Sequence, residues 1–253
     1  MSDTNRTGEE TADNTDPSSL RILLWDIDGT LMRSVRQDAY KDYTAPMLEG
    51  IFGTSGRLAE MRVSGMTDLQ IVAEALRDSG ITQAHISDQV HGLRSRYMLE
   101  LERVTGTGEQ FFHLLPGVHE TLKATSEHSR YRNALLTGNM EPAARLKIRL
   151  VGLSEFFQLP GAFGDDSYDR RDLPAVAHDR ISRHLKMELA PSQFIVIGDT
   201  PNDIACARHY GSRSVAVATG RMYSAEDLLE HKPDALLPNL ADPELVLRTL
   251  SEL

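Results

Sequence analysis

Asp26 and Asp28 stand two residues apart at the point where an apolar run, Leu20 to Trp25, stops. In an extended strand, residues i and i+2 point to one side, so the pleat sends both carboxylates toward the same space. Two carboxylates so close oppose each other's ionisation, and a cation or a proton must relieve the strain. Either remedy serves catalysis. Gly29 then lets the backbone turn without a Cβ penalty. A second acidic pair, Asp199 and Asp203, flanks the end of another apolar run, Phe194 to Ile197, with Asp203 one turn along a helix that Pro201 helps to start. Any one of these aspartates alone is best read as a turn residue or a helix cap. Four acidic side chains on one sheet edge instead form the hard, oxygen-rich donor set that Mg²⁺ prefers.

These residues need strands that end together. Short apolar runs stopped by turn residues recur at Leu20–Trp25, Tyr131–Leu136, Phe194–Ile197 and Ser214–Ala218, with a weaker one at Leu159–Phe163. Runs of this length suit strands buried on both faces of a parallel sheet. Helical periodicity lies between and after them, at Val118–Ser126, Glu141–Leu150, Leu173–Met187, Asp203–Tyr210 and Pro243–Leu250. Strand, turn and helix in alternation predict an α/β fold, a Rossmann-like parallel sheet flanked by helices. Right-handed crossovers put every strand C-terminus on one edge, where ligands bind in such sheets.

One interval breaks the alternation. Between Arg36 and Phe112 the pattern is helical, at Asp38–Phe52, Asp68–Asp78 and Ser87–Val104, with no convincing strand. An all-helical insert directly after the first strand-end turn sits above the ligand edge and reads as a cap domain that helps to choose the substrate. Two independent domains joined by linkers are the alternative. The expected division is a disordered tail at residues 1–18, an α/β core at 19–35 and 113–253, and a helical cap at 36–112.

Composition narrows the function classes. The 253 residues include 37 acidic against 27 basic ones, a net charge of −10, which argues against gripping nucleic acid or anionic membrane by bulk electrostatics. An anionic substrate must therefore be held by a few placed cations. Five acidic residues against Arg6 lie in the first eighteen positions, a stretch without Leu, Ile, Val or aromatic residues and so expected to be disordered. That stretch has neither the apolar region of a signal peptide nor the basic face of a transit peptide, and no later run is long enough to span a membrane. A single cysteine, Cys206, excludes an intrachain disulfide framework. The expectation is a cytoplasmic protein with no nucleic-acid or membrane partner. Trp25 and Cys206 read as core residues, and the oligomeric state is left open by the pattern.

Asp26-Ile27-Asp28-Gly29-Thr30-Leu31 resembles the first motif of the haloacid-dehalogenase-like hydrolases. Leu136-Thr137-Gly138-Asn139 is similar to their second motif and Gly198-Asp199-Thr200-Pro201-Asn202-Asp203 to their fourth, in the right order on successive strand ends. Leu115-Pro116-Gly117-Val118 resembles the segment by which members re-enter the core after a helical cap. The resemblance implies Asp26 as a nucleophile that forms an aspartyl-phosphate, and Asp28 as general acid and then base. It implies Mg²⁺ held by Asp26, the backbone carbonyl of Asp28 and Asp199, with Asp203 as a further ligand or an orienting residue. Thr137 would hydrogen-bond a phosphoryl oxygen, and backbone N–H groups near Gly138 and Asn139, at a helix N-terminus, suit an anion.

The sequence departs from the family at its third motif, where a lysine is usual. None of the five lysines falls there: Lys147 lies within the helix after Thr137 and Lys186 at the end of the following one. The slot holds Asp169-Arg170-Arg171-Asp172, and Arg170 is the expected phosphate-side cation, with Arg171 the alternative. Asp28 favours ester hydrolysis over carbon–halogen cleavage, since relatives of the latter kind lack an acid there. The expected activity is a Mg²⁺-dependent phosphatase acting on a small phosphorylated metabolite, in the phosphoglycolate-phosphatase and β-phosphoglucomutase-like branch. A sugar-phosphate mutase is the alternative, and a catalytically idle regulatory member comes third. In the insert, Ser64-Gly65-Met66-Thr67-Asp68 resembles a cap turn of phosphoglycolate-phosphatase-like members, with Thr67 a substrate contact and Asp68 a helix cap. The safer assignment for this turn is helix capping. Arg57 and Arg62 are candidate contacts for a second anionic group.

Overall fold

The computed structural model describes residues 19–253. The expected disordered tail lies outside the described residues. Five parallel strands form one sheet in the order β4-β1-β5-β6-β7, with β1 Arg21–Trp25, β4 Tyr131–Leu135, β5 Phe194–Gly198, β6 Arg213–Val217 and β7 Ala235–Leu237. Central β1 alternates its side chains between two cores: Leu23 and Trp25 join one hydrophobic cluster, Ile22 and Leu24 the other. All four are fully buried, as a strand covered on both faces requires. Trp25 Nε1 donates to Asn133 Oδ1 at 2.8 Å, so its one polar group is satisfied inside the core.

Register fixes the active edge. Trp25 lies beside Leu135 on one side and Ile197 on the other, and the ladders continue one step as Leu136 N–H donates to the Trp25 carbonyl and Asp26 N–H to that of Ile197. Asp26, Thr137 and Asp199 therefore leave the sheet at one level. Helices α5 Val118–Glu127, α6 Glu141–Leu150, α7 Leu173–Leu185, α8 Pro201–Tyr210, α9 Ala225–Glu230 and α10 Pro243–Ser251 complete the α/β layers.

The insert is helical as expected, with α1 Lys41–Phe52, α2 Asp68–Leu76, α3 Gln83–Asp88 and α4 Val90–Thr105. Its hydrophobic side chains, Met47, Leu69 and Leu93 among them, belong to the same cluster as Leu23 and Trp25. Pro46 inside α1 cannot donate to the Asp42 carbonyl, and Arg103 of α4 does so instead at 2.8 Å. Two three-residue strands, β2 Met32–Ser34 and β3 Phe112–Leu114, pair antiparallel at the root of the insert. Neither was expected, because three residues carry no periodicity. The same holds for β7 at the sheet edge and for the short α9. The weak run at Leu159–Phe163 is a correction in the other direction: it forms no strand and pairs with the sheet's edge through an isolated bridge between Leu136 and Ala162.

Candidate active site

Asp26 lies at the centre of the carboxyl edge, and a cavity of about 530 Å³ opens above it between the sheet and the insert. That size suits a small-molecule site. Asp26, Asp199 and Asp203 are buried, and one carboxylate oxygen from each lies within 4.8 Å of the others. Burial, only partly offset by Arg170, pushes Asp26 up to about 6, and burial together with Asp26 and Asp203 pushes Asp199 well above the usual carboxylate range. Hard oxygens whose ionisation is mutually opposed fit a divalent cation, which would remove that opposition. The surroundings are cut to these carboxylates. Thr30 donates to Asp199 Oδ1 at 3.0 Å, and a Cβ at Gly29 or Gly220 would lie 2.3 or 2.1 Å from Asp199 Oδ2. Gly29 also sits at φ +94°, where a side chain is strained.

Arg170 supplies the counter-charge. The Ala162–Asp172 segment that carries it is fixed by paired hydrogen bonds from Arg180 to Asp166, both 2.7 Å, and by the Asp169 carboxylate accepting from Arg171 N–H at 2.9 Å. Arg170 is 5% exposed and bridges Asp26 Oδ1, at 3.1 Å, to Asp203 Oδ1. Arg171 instead turns outward to pair with Asp169. Asp203 has no free oxygen: Oδ2 accepts from Thr200 N–H at 3.0 Å and Thr200 Oγ1 at 2.6 Å in a capping box. That occupancy fits an orienting residue better than a direct ligand.

Asp28 goes elsewhere. Its carboxylate is not in the acidic cluster; Oδ2 accepts from Asn139 Nδ2 at 2.7 Å and from Lys147 Nζ at 2.8 Å. Lys147, in α6, is 2% exposed, also donates to Asn139 Oδ1 at 2.6 Å, and lies over the rings of Tyr43 and Phe112 at 5.8 and 5.4 Å. Burial alone would lower its pKa, but Asp28 and Tyr43 hold it above the ordinary lysine value, so the ammonium stays charged. No motif marks Lys147. The one available signal was a lysine in the apolar stripe of α6, between Leu146 and Ile148.

Around the second strand end, Thr137 is buried and lines the cavity, and its Oγ1 accepts from Asn139 Nδ2 at 2.8 Å. At the N-terminus of α6, the N–H groups beyond Asn139 are already occupied. Met140 N–H donates to Asp68 Oδ2 at 2.7 Å, Glu141 N–H to Asp165 Oδ1 at 3.1 Å, and Asn139 N–H leans on Thr137 Oγ1 at 3.4 Å. Acidic residues thus already complement the α6 dipole. Gly138 remains, pressed against the insert: Asp68 N–H donates to its carbonyl at 2.7 Å, and a Cβ on it would meet the Met66 carbonyl at 2.0 Å.

Thr67 takes the capping role suggested for Asp68. Thr67 Oγ1 accepts from Gln70 N–H at 3.2 Å as the N-cap of α2, and Thr67 is not among the residues that line the cavity. Asp68 docks the insert onto α6 instead, and burial pushes its carboxyl up to about 7 despite the bond from Met140. Arg62 is exposed and lines the cavity, whereas Arg57 pairs with Asp78 at 3.8 Å.

The carboxyl edge of the parallel sheet thus gathers an Asp-x-Asp pair, a Thr-Gly-Asn turn, a Gly-Asp turn and a buried guanidinium at one cavity. Comparisons with known proteins agree with the resemblance of the motifs. A family model described as HAD-hydrolase-like matches residues 172–243. The chain is 25% identical over 223 residues to a phosphoglycolate phosphatase of Vibrio vulnificus, covering 88% of this chain and 93% of that protein. In fold it is similar to a predicted phosphoglycolate phosphatase of Haemophilus somnus (TM-score 0.61, 18% identity, 90% of this chain and 98% of the other). It is also similar to a β-phosphoglucomutase of Clostridium difficile (TM-score 0.64, 15% identity, 92% and 98%). These matches support a resemblance to the haloacid-dehalogenase-like hydrolases, with the curated relatives that span most of the chain being phosphoglycolate phosphatases, and they indicate a hydrolase of the phosphatase type. No helix among the described residues is long and apolar enough to cross a membrane.

Proposed function

We propose that the protein hydrolyses a small phosphate monoester with the help of Mg²⁺, through a phosphoryl group carried on Asp26. The observation that carries this reading is the division of the two carboxylates: Asp26 lies with Asp199 beside a guanidinium, while Asp28 is held apart on a separate polar network. Such a division suits two roles, a nucleophile and an acid–base residue. Bound among Asp26, Asp199 and the Asp28 carbonyl, Mg²⁺ supplies charge neutralisation for the carboxylates and the phosphoryl oxygens.

The chain's own residues perform the remaining work. Asp26 attacks phosphorus as the ester oxygen departs, and Asp28 gives that oxygen its proton. Asp28 then accepts a proton from the water that hydrolyses the acyl phosphate and regenerates Asp26. Arg170 holds Asp26 and Asp203 in place and faces the phosphoryl group with its guanidinium. Thr137 Oγ1, which accepts from Asn139, has its own proton free for a phosphoryl oxygen, and Gly138 N–H lies alongside. Residues 36–112 act as a cap that closes the cavity over the ester, with Arg62 presented to the part of the substrate beyond the phosphate.

Asp26→Asn should reduce p-nitrophenyl phosphate turnover by about 10³-fold or more while circular dichroism is unchanged. EDTA should silence the wild-type enzyme and Mg²⁺ restore it. Activity surviving either treatment contradicts the assignment. A panel of phosphorylated metabolites, with released phosphate and isomerised sugar read together, identifies the ester and separates hydrolase from mutase.

A further inference from the structure

Lys147 is the least expected residue of the site. A lysine is seldom fully buried without a reason, because desolvating an ammonium is costly. Lys147 spends its charge on Asp28 Oδ2 and Asn139 Oδ1, and its ammonium also lies over the rings of Tyr43 and Phe112. Those contacts come from three parts of the fold: α6 of the core carries Lys147, α1 of the insert carries Tyr43, and β3 at the insert's root carries Phe112. Asn139 closes the triangle by donating to the same Asp28 oxygen. Asp28 Oδ1 accepts no hydrogen bond among the described residues, and Asp28 lines the cavity with its side chain 42% exposed.

We infer that Lys147 is a positioning residue for leaving-group protonation: with Asn139 it clamps Asp28 by Oδ2, so that the other oxygen, Oδ1, is presented to the departing ester oxygen. The inference rests on the reading of Asp28 as the acid. With Oδ2 accepting both clamp bonds, Oδ1 is the oxygen placed to deliver a proton to the ester oxygen as the P–O bond to the leaving group breaks and the bond to Asp26 forms. The clamp is seated only while Tyr43 and Phe112 flank it, so the aim of Asp28 depends on the insert being docked. Lys147 acts through Asp28 and need not touch the substrate.

Leaving-group dependence tests this. p-Nitrophenolate departs without a proton, whereas phenolate and p-methoxyphenolate are poorer leaving groups and depend on the acid. In Mg²⁺-loaded enzyme, kcat/KM is measured for p-nitrophenyl, phenyl and p-methoxyphenyl phosphate in wild type, Asp28→Ala and Lys147→Met. The ratio between substrates is independent of how much of a preparation is folded. Lys147→Gln, read the same way, replaces Lys147→Met should the latter not accumulate. Asp28→Ala is expected to lower the phenyl and p-methoxyphenyl values at least about tenfold further than the p-nitrophenyl value, and Lys147→Met to follow it in the same direction. Equal losses on all three esters in the Lys147 variant, with Asp28→Ala still selective, overturn the clamp and leave the acid assignment standing. A non-selective Asp28→Ala overturns both.

Discussion

Asp26 and Asp28 leave the same strand two residues apart, yet they belong to two half-sites built on one plan. Each aspartate is paired with a buried cation and one further polar residue: Asp26 with Arg170 and Asp203, Asp28 with Lys147 and Asn139. The differences lie in what surrounds them. The Asp26 side is crowded with negative charge and buried, with glycines at 29 and 220 yielding space to Asp199. The Asp28 side has one carboxylate held by two donors, opens to the cavity, and borrows two aromatic rings from outside the sheet layers. The first half-site is made by the α/β core alone; the second is complete only where the insert touches the core. On the proposed mechanism, handling of phosphate falls to the core edge and handling of the leaving group to the edge against which the insert docks.

The comparison is broken most severely on the Asp26 side. Arg170→Met removes a guanidinium shared by two buried carboxylates, so turnover should fall about 10²-fold or more for every ester, whatever its leaving group. Steady-state kinetics on the aryl phosphate series checks this, and selectivity among leaving groups would place Arg170 in the wrong half. A milder change is Gly220→Ala, whose new methyl group lies on Asp199 Oδ2. Its expected effect is a Mg²⁺ requirement raised about tenfold or more, with the leaving-group ratio unchanged, read by metal titration of activity.

The smallest expected effect concerns docking. Burial raises Asp68 to about 7 in the folded protein, against an ordinary value near 3.8. Between those pH values the folded chain holds a proton that the unfolded chain has lost. Stability therefore falls as pH rises from about 4 to about 7, by at most about 1.4 kcal/mol per pH unit for this group, and is flat above. Asp26, raised to about 6, adds a slope in the same direction in the absence of metal. Asp68→Asn keeps an acceptor for Met140 N–H but has no proton to lose. With EDTA present, the variant's melting temperature should change less between pH 5 and pH 8 than that of wild type; equal changes would remove Asp68 from the docking account.

Legibility followed the same division. Asp26, Asp199 and Thr137 could be placed together because each ends an apolar run, and strand ends in a parallel sheet meet at one edge. Arg170 was reachable because it fills a motif slot on the same edge. Lys147 was not, since its partner lies 119 residues away in sequence and its environment is made by a helix of the insert and a strand of three residues. Thr67 and Asp68 illustrate a finer limit. Adjacent residues before an apolar run are both plausible caps, and only the path of the chain over Gly138 decides that Thr67 caps while Asp68 reaches α6. The carboxylates that accept from Met140 and Glu141 N–H at the start of α6 were not legible for a related reason, because they come from residues 68 and 165.

The central claim is that Asp26 carries the phosphoryl group while Asp28 does not. The enzyme is mixed with a ³²P-labelled phosphate ester and Mg²⁺, quenched in acid within the first turnover, digested, and the labelled peptide is sequenced by mass spectrometry. The account predicts label on Asp26, in wild type and more abundantly in Asp28→Ala, where hydrolysis of the acyl phosphate is slowed. Label on Asp28 or on any other residue, or turnover of Asp26→Asn at the wild-type rate, contradicts it.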